Sequence, residues 1–499
     1  MHEAVEILRK QVDELSHELR ALRAENFLLR QKNDLLLRRL FGSKSEKLDS
    51  KQMELLLGAL TQEIKPDDDP TPPSGPPRPR GKRDRTKPRL PENLPVEEIV
   101  IDPPEVQQKP EDYRCIGQEV TEELDVTPTR YFRRRIIRRK YTSKKNRDKA
   151  PVIAKQSPRL IDNSYASVGL VVDVILQKYE DHIPLYRQER ILNERYGIEL
   201  PRKTMCDWMG TAANWCKPIY RLIAEGVRSD GYMQVDETPV KYSMAEGGGS
   251  GQGYFWVYNR PGGDVFFEWH TSRAADCLDG MLKDFKGTVQ CDAYLAYSSY
   301  ANSHKDIELS GCWGHLRRRF HEAIDESSRL AGWFLNQIGR LYEVEAGLRS
   351  GRAGPALRQV ARSSQSRMVL NRLQKALKLK LLAHLPQSRM GKAISYALSN
   401  WDELQRYCDN GKIEIDNNLV ENAIRPTAVG KKNWLFIGHP DAGERSAILY
   451  TLIECCRRRC INTREYLTDI FTRLPAMKMS EVATLTPENW LAARTAKAA

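Results

Sequence analysis

The sequence predicts a multidomain α/β protein, with a mixed-sheet core cut by a helical insertion and a coiled coil leading in. Three observations carry that prediction. The chain has 499 residues, too many for one ordinary hydrophobic core. Its first forty residues repeat apolar side chains at steps of three and four, whereas residues 232–312 change to short strand-period runs broken by glycine. Helical period returns from His315 to Cys408, a stretch too long for a connection and read as an inserted domain.

Composition sets the class of partner. Hydrophobic residues make up 40% and charged residues 29%, which permits packed cores beneath a strongly solvated surface. Lys and Arg outnumber Asp and Glu by 79 to 66, a net charge of +13. That excess favours polyanions, because each neutralised phosphate releases a condensed counterion. Ribosomal, RNA-binding and membrane-surface proteins are as basic, so charge selects no reaction. The ten cysteines are scattered without a CxxC pair, the pattern of a reduced, cytosolic chain. The first residues lack a signal-peptide core, and no apolar run nears the roughly 20 residues that span a bilayer. A soluble intracellular protein with no membrane partner is expected.

Residues 1–48 are expected to form a coiled-coil dimerisation helix. Val5, Leu8, Val12, Leu15, Leu19, Leu22, Leu29, Leu36 and Leu40 keep the heptad, and Asn26 and Asn33 fall at a-type positions. A buried Asn there pairs best with its twin, favouring a parallel homodimer or higher oligomer. Residues 49–110 read as a basic linker: residues 66–110 hold 13 of the 27 prolines, with seven Lys or Arg from Arg78 to Arg89. Residues 111–150 read as a small basic β module. Arg130 to Lys149 contains eleven Lys or Arg, alternating through Tyr131, Phe132, Ile136 and Ile137; a solvated surface run is the alternative.

Residues 151–228 are helical in pattern. Pro184 to Arg195 is amphipathic, Gly197 breaks it, and Pro201 opens a stretch with Trp208 and Trp215. Helix, Gly-containing turn and helix fits a helix-turn-helix DNA-binding region, although plain hairpin packing is commoner. The core's first part, 229–320, offers strands at Tyr232–Val235, Tyr254–Tyr258, Val265–Trp269, Thr288–Cys291 and Ile307–Cys312, with a helix from Arg273 to Phe285. Three strands, helix, strand, short helix, strand is the chain order of the ribonuclease-H-like fold. The insertion occupies 321–410, the core's second part 411–465, and a C-terminal helix and tail 466–499.

Three acidic residues stand where chemistry needs them. Asp236 follows the first strand and Asp292 the fourth, which are neighbours in that fold. Alternation turns Asp236 and Glu237 to opposite faces, so only one serves, and Asp236 is chosen. The third is Glu421, on a helix expected to start near Asp416 and to end or bend at Pro426. Helical spacing puts Asn417, Asn418, Glu421 and Arg425 along one face, with Leu419, Ala423 and Ile424 free to face inward. Converging carboxylates repel without cations, and hard oxygen ligands select Mg²⁺ or Mn²⁺. Two such ions activate water or a 3′-hydroxyl and stabilise the leaving oxygen of an in-line displacement. Arg425, Lys431 and Lys432 are placed to neutralise phosphates, and Trp434 to stack on an unpaired base. Cys312 and His315 form a Cys-x-x-His pair with no second pair nearby to complete a zinc tetrahedron. They are assigned to shaping the site with Asn417 and Asn418, while Arg317 and Arg318 face DNA; core packing is the alternative for the pair.

These residues lie in strings that resemble the insertion sequence 66 transposases of bacteria, the large TnpC-type protein. The strings are LRRLFGSKSEKL from Leu37, KYEDHIPLYRQE from Lys178, VDETPV from Val235, CDAYLAY from Cys291, GCWGHLRRRF from Gly311, IDNNLVENAIRP from Ile415, GKKNWLFIG from Gly430 and LTPENW from Leu485. The resemblance implies an acidic DDE triad at Asp236, Asp292 and Glu421. It further implies Mg²⁺-dependent hydrolysis at element ends followed by strand transfer. The implied partners are double-stranded DNA, as terminal inverted repeats and target, and companion proteins of the same element; the implied location is the bacterial nucleoid. One departure stands out. The family's zinc-binding module keeps only Cys115 here, and YTSKKNRD replaces the second expected pair, so no zinc is expected. A silent transposase-derived DNA-binding protein and a ribonuclease-H-like nuclease are the rival readings.

Overall fold

The computed structural model describes residues 131–137, 158–244 and 249–498, and short strands at 140–141 and 152–153. The expected coiled coil, the linker and most of the 111–150 module lie outside the described residues. What is described of that module differs from expectation. Strand β1 (Lys140–Tyr141) pairs antiparallel with β2 (Val152–Ile153), but residues 131–137 form no strand. Phe132, Ile136 and Ile137 are exposed, and Tyr131 packs edge-on against Tyr196 with ring centroids 4.8 Å apart. Alternation makes a strand only where a partner satisfies its backbone, and the partner lies further along the chain.

Three helices precede the main sheet. Helix α1 (Val168–Tyr179) is capped by Ser167, whose side chain accepts from the Leu170 amide. Helix α2 (Leu185–Tyr196) stops at Gly197, which adopts φ +63° and so terminates it in the left-handed conformation. Pro201 then leads α3 (Arg202–Arg228), where Met205, Trp208, Met209, Ala212, Cys216, Ile219, Ile223 and Val227 make one buried stripe. The stripe packs on the sheet and on a later helix, within one continuous hydrophobic core.

The sheet has five strands: β3 (Tyr232–Ser243), β4 (Ser250–Asn259), β5 (Val265–His270), β6 (Gly287–Gln290) and β7 (Ile307–Ser310). Their spatial order is β5-β4-β3-β6-β7. The first three run antiparallel, and β6 and β7 continue parallel to β3. Strand β3 is much longer than expected, so Asp236 lies within it opposite Val257 rather than beyond its end. The cause is β4, whose ladder continues to Ser243↔Ser250 after the parallel pairing with β6 has stopped. The expected 273–285 helix shrinks to a 3₁₀ turn (Ala275–Leu278) and α4 (Asp279–Leu282), although Leu278, Met281, Leu282 and Phe285 are buried on its inner side.

Helix α5 (Leu295–Ser303) joins β6 to β7, and α6 (Trp313–Glu322) follows β7. Then come α7 (Ser328–Ser350), α8 (Pro355–Ala361), α9 (Arg367–Leu381), α10 (Arg389–Ser399) and α11 (Trp401–Gln405). They enclose a second core that already includes Trp313, Leu316 and Phe320 and extends to Ile413 and Ile415. Inside it Arg362 and Glu345 are both fully buried and paired, Nε to Oε1 at 2.7 Å. Arg362 Nη1 also donates to the Tyr407 and Ile413 carbonyls, each at 2.8 Å, pinning the returning chain.

The chain returns to the sheet through α12 (Asn418–Trp434), α13 (Asp441–Arg458), α14 (Thr463–Arg473) and α15 (Pro487–Ala498). Pro426 lies inside α12 and does not end it. Helix α13 is the one packed on α3 and β5. No described helix is long and apolar enough to cross a membrane.

Candidate active site

Strands β3 and β6 end their parallel pairing at Gln234↔Gln290. Two residues on from each glutamine stand Asp236, still within β3, and Asp292, just past the end of β6, so neighbouring strands lead to both aspartates. Asp236 Oδ1 accepts from the Glu237 amide at 2.9 Å, and Asp292 Oδ1 accepts from the Tyr294 amide at 3.0 Å. Burial pushes the Asp236 carboxyl well above the usual range, and the charges of Glu237, Asp292 and Glu421 push it further. The carboxyls named as candidates therefore share one electrostatic neighbourhood.

Glu237 points away from that role. Its side chain is 2% exposed and ion-paired to Arg273, with Tyr297 Oη donating to its second oxygen.

The third carboxylate is brought in by a buried polar network. Tyr232 Oη donates to Gln290 Oε1 at 2.7 Å, and Gln234 Nε2 donates to the same oxygen at 2.9 Å. Gln234 Nε2 also donates to the Asp416 carbonyl, and Gln290 Nε2 to the Glu414 carbonyl at 2.8 Å. These bonds dock the returning chain on the sheet just before α12. Asp416 Oδ1 then accepts from the Asn418 amide at 3.2 Å, starting the helix in whose first turn Glu421 lies.

In this structure Glu421 turns toward α6. Its oxygens lie 3.8 Å from His315 Nε2 and 3.7 Å from Arg318 Nη2. Cys312, His315 and Glu421 bring their ligand atoms within 4.8 Å of one another, the only such group of three among the described residues. Asp236, Asp292 and Glu421 are not drawn together that tightly. The sequence offers Cys312 and His315 no second pair, and folding adds one group, Glu421, from a helix distant in the chain. The set still falls short of four zinc ligands. Burial also pushes the Cys312 thiol up to about 12, and its sulfur accepts from the Asn417 amide at 3.4 Å. His315 Nδ1 and both side-chain polar atoms of Asn417 are buried without hydrogen-bond partners.

The remaining expected residues divide. Arg317, Arg318, Arg425, Lys432 and Asn418 are exposed. Asn418, Glu421 and Arg425 line a cleft of about 440 Å³. Lys431 Nζ is committed to β3, donating to Thr238 Oγ1 at 3.1 Å and the Pro239 carbonyl at 3.2 Å. Trp434 is half-buried against the main core, with Lys178 Nζ 5.9 Å from its ring centroid. Leu419 is 42% exposed, and Val420 takes the inward position instead.

Gln234, Gln290, Glu237, Arg273, Tyr294 and Tyr297 were not anticipated as parts of the site. For the glutamines a signal was present: each aspartate is preceded at the same spacing, Gln234-Val235-Asp236 and Gln290-Cys291-Asp292. Arg273 carried none, because nothing local links it to Glu237.

Comparison with known proteins identifies the family. The family model described as transposase IS66 family matches residues 163–445. A second, described as transposase C of IS166 homeodomain, matches residues 28–99, across part of the expected coiled coil and linker. Among curated relatives, the uncharacterized protein y4qI of Sinorhizobium fredii is 32% identical over 391 residues, covering 75% of this chain and 72% of its own. The uncharacterized protein y4jD of the same organism is 29% identical over 99% of both chains. The match from the helices before the sheet to the helix after Glu421 takes in the strands, the insertion and the acidic site together, and the chain belongs to the IS66 family of transposases.

Proposed function

We propose that this chain is a DDE-type DNA transposase of a bacterial insertion sequence, built on a ribonuclease-H-like core. The strand order β5-β4-β3-β6-β7, with two parallel strands added to three antiparallel ones, supports the core. In this reading the protein binds the ends of its element, cleaves DNA there and joins the freed 3′ ends to a target.

Asp236, Asp292 and Glu421 would hold two Mg²⁺ or Mn²⁺ ions. The single observation that carries this reading is the placement of Asp236 and Asp292, each two residues past the Gln234–Gln290 rung that pairs β3 with β6; burial first, and then the charges of Glu237, Asp292 and Glu421, push the Asp236 carboxyl well above its usual range. Such a cluster of oxygens is relieved by hard divalent cations, so the donor set fits them. Ions bound there supply a nucleophilic oxygen and charge stabilisation for in-line phosphodiester displacement. Glu421, turned partly toward His315 and Arg318, would be the third of these ligands. Arg317, Arg318, Arg425 and Lys432 neutralise DNA phosphates around the cleft. His315 and Arg318 hold Glu421 turned toward α6. Residues 1–48 dimerise the protein, so removing residues 1–45 lowers its sedimentation coefficient.

The deciding experiment incubates purified protein with a labelled duplex of its element's end and Mg²⁺. Asp236→Asn, Asp292→Asn and Glu421→Gln each abolish cleavage while end binding persists. Cutting at the parental rate by any one of them removes that residue from the site. Binding without cutting by the parent protein leaves only a DNA-binding relative.

A further inference from the structure

Two strings singled out in the sequence, VDETPV and CDAYLAY, contain more than their aspartates, and the structure joins the remainder into one unit. Glu237 from the first is 2% exposed. Arg273, from the loop after β5, donates to Glu237 Oε1 through Nε at 2.8 Å and also through Nη2. Tyr297 from the second string donates to Glu237 Oε2. Tyr294 lies under the guanidinium, 3.7 Å from its ring centroid, and its hydroxyl donates to the Arg273 carbonyl at 3.0 Å.

Every constraint in this unit acts on one cation. A buried carboxylate fixes one edge of the guanidinium, and an aromatic face fixes its plane. The side chain nevertheless remains 40% exposed, and its bonds to Glu237 use Nε and Nη2, leaving Nη1 outside that pair. The same Tyr294 donates its backbone amide to Asp292 Oδ1 at 3.0 Å, which sets the stacked guanidinium beside that aspartate. A surface arginine that served only to neutralise Glu237 would need neither the stacking nor the open edge. Ordering so flexible a side chain before substrate arrives removes an entropy loss from binding.

We propose that Arg273 is a phosphate-binding residue beside the acidic site, gripping a phosphodiester of the DNA strand next to the bond that is cut. Glu237, Tyr294 and Tyr297 are its positioning residues. The inference rests on the reading of Asp236 and Asp292 as the catalytic pair. Arginine suits the task because its planar fork meets two phosphate oxygens at once and never loses its charge. Placed next to the reacting centre, it binds the strand in the geometry where charge develops, so its contribution appears mainly in the rate of cutting.

The test compares the full-length parent with Arg273→Ala, and with Arg273→Ala/Glu237→Gln, in which no buried carboxylate is left unpaired. Labelled element-end duplexes are assayed for binding with Ca²⁺ and for cleavage with Mg²⁺. Both variants bind ends within a few-fold of the parent and cleave roughly 100- to 1,000-fold more slowly. Tyr294→Leu gives a smaller loss in the same readout. A series of duplexes, each with one uncharged methylphosphonate, locates the contact. The parent loses cleavage at one linkage beside the cut, and Arg273→Ala loses nothing further there. Parental cutting by Arg273→Ala, or equal sensitivity to that methylphosphonate in both proteins, overturns the proposal. If Asp236→Asn still cuts normally the underlying active-site reading fails, whereas a dead Asp236→Asn beside a fully active Arg273→Ala fails this inference alone.

Discussion

Gln234 Nε2 donates a 2.9 Å hydrogen bond to the Asp416 carbonyl, joining the strand that carries Asp236 to the segment that opens the helix of Glu421. Gln290, two residues before Asp292, does the same for the Glu414 carbonyl at 2.8 Å. The insertion can lie between the two halves of the site because these bonds re-attach the chain where it comes back.

Replacing Gln234 with Leu strands the Asp416 carbonyl and the Asn259 side chain, which now donates to Gln234 Oε1 at 2.8 Å. Each buried group left unpaired costs about 1–3 kcal/mol. Urea unfolding followed by ellipticity is expected to show a lower midpoint with little change in slope. An unchanged midpoint means water replaces both partners. End cleavage falls further than stability alone explains, because Glu421 loses its docking.

The Arg362–Glu345 pair makes a sharper demand. Burial opposes ionisation of Glu345, yet Arg362 and Arg358 overcome it and hold the carboxyl below the usual range. Arg362→Met leaves the buried carboxylate with only Arg358, at 3.4 Å, and frees the Tyr407 and Ile413 carbonyls, and is expected to cost about 3–5 kcal/mol in denaturant titration. Arg362→Met with Glu345→Met recovers much of that loss, since two apolar side chains need no partner. A double variant no more stable than the single one would falsify the electrostatic account.

Glu454 predicts a pH dependence of stability. Burial pushes its carboxyl up to about 7, against the pull of Arg457 and Arg458. A group raised on folding favours the protonated form, so its stabilising effect is complete below the ordinary carboxyl range and is lost as pH rises through about 7. Glu454→Gln therefore gains up to about 3 kcal/mol over the parent at pH 8, and the gain shrinks toward pH 5. Thermal unfolding of both proteins at the two pH values reads this directly; a constant difference contradicts it.

In the proposed metal site, the elevated Asp236 carboxyl sets proton against metal. Where the free site holds a proton, a divalent ion must displace it, so apparent Mg²⁺ affinity rises with pH until Asp236 is ionised. Calorimetric titration of Mg²⁺ in two buffers of different ionisation heat detects the released proton. Asp236→Asn abolishes that difference, and its persistence in the variant assigns the proton to another group.

Much of the fold was legible because it is written in local period. Strand alternation located all five strands of the sheet, and the 3.6-residue stripe located α3 and α12, since burial of one face is decided by neighbours along the chain. Boundaries were less legible. The end of β3 depends on how far β4 accompanies it, and residues 131–137 alternate without a partner strand. Pro426 was read as a stop, but helix α12 carries it without breaking.

By itself the sequence determined the chain order of strands and helices, the family, and that Asp292 stands past the end of its strand, because these follow from nearest-neighbour chemistry and short strings; that Asp236 lies inside β3 was decided by the β4 ladder. The tertiary structure alone decided that Cys312 and His315 meet Glu421, that Lys431 is tied to β3, and that Arg273 is held by Glu237 beside Asp292. Those pairings join residues 36 to 193 positions apart. No local pattern encodes them: they arise when sheet order and the insertion's return fix which side chains share a space.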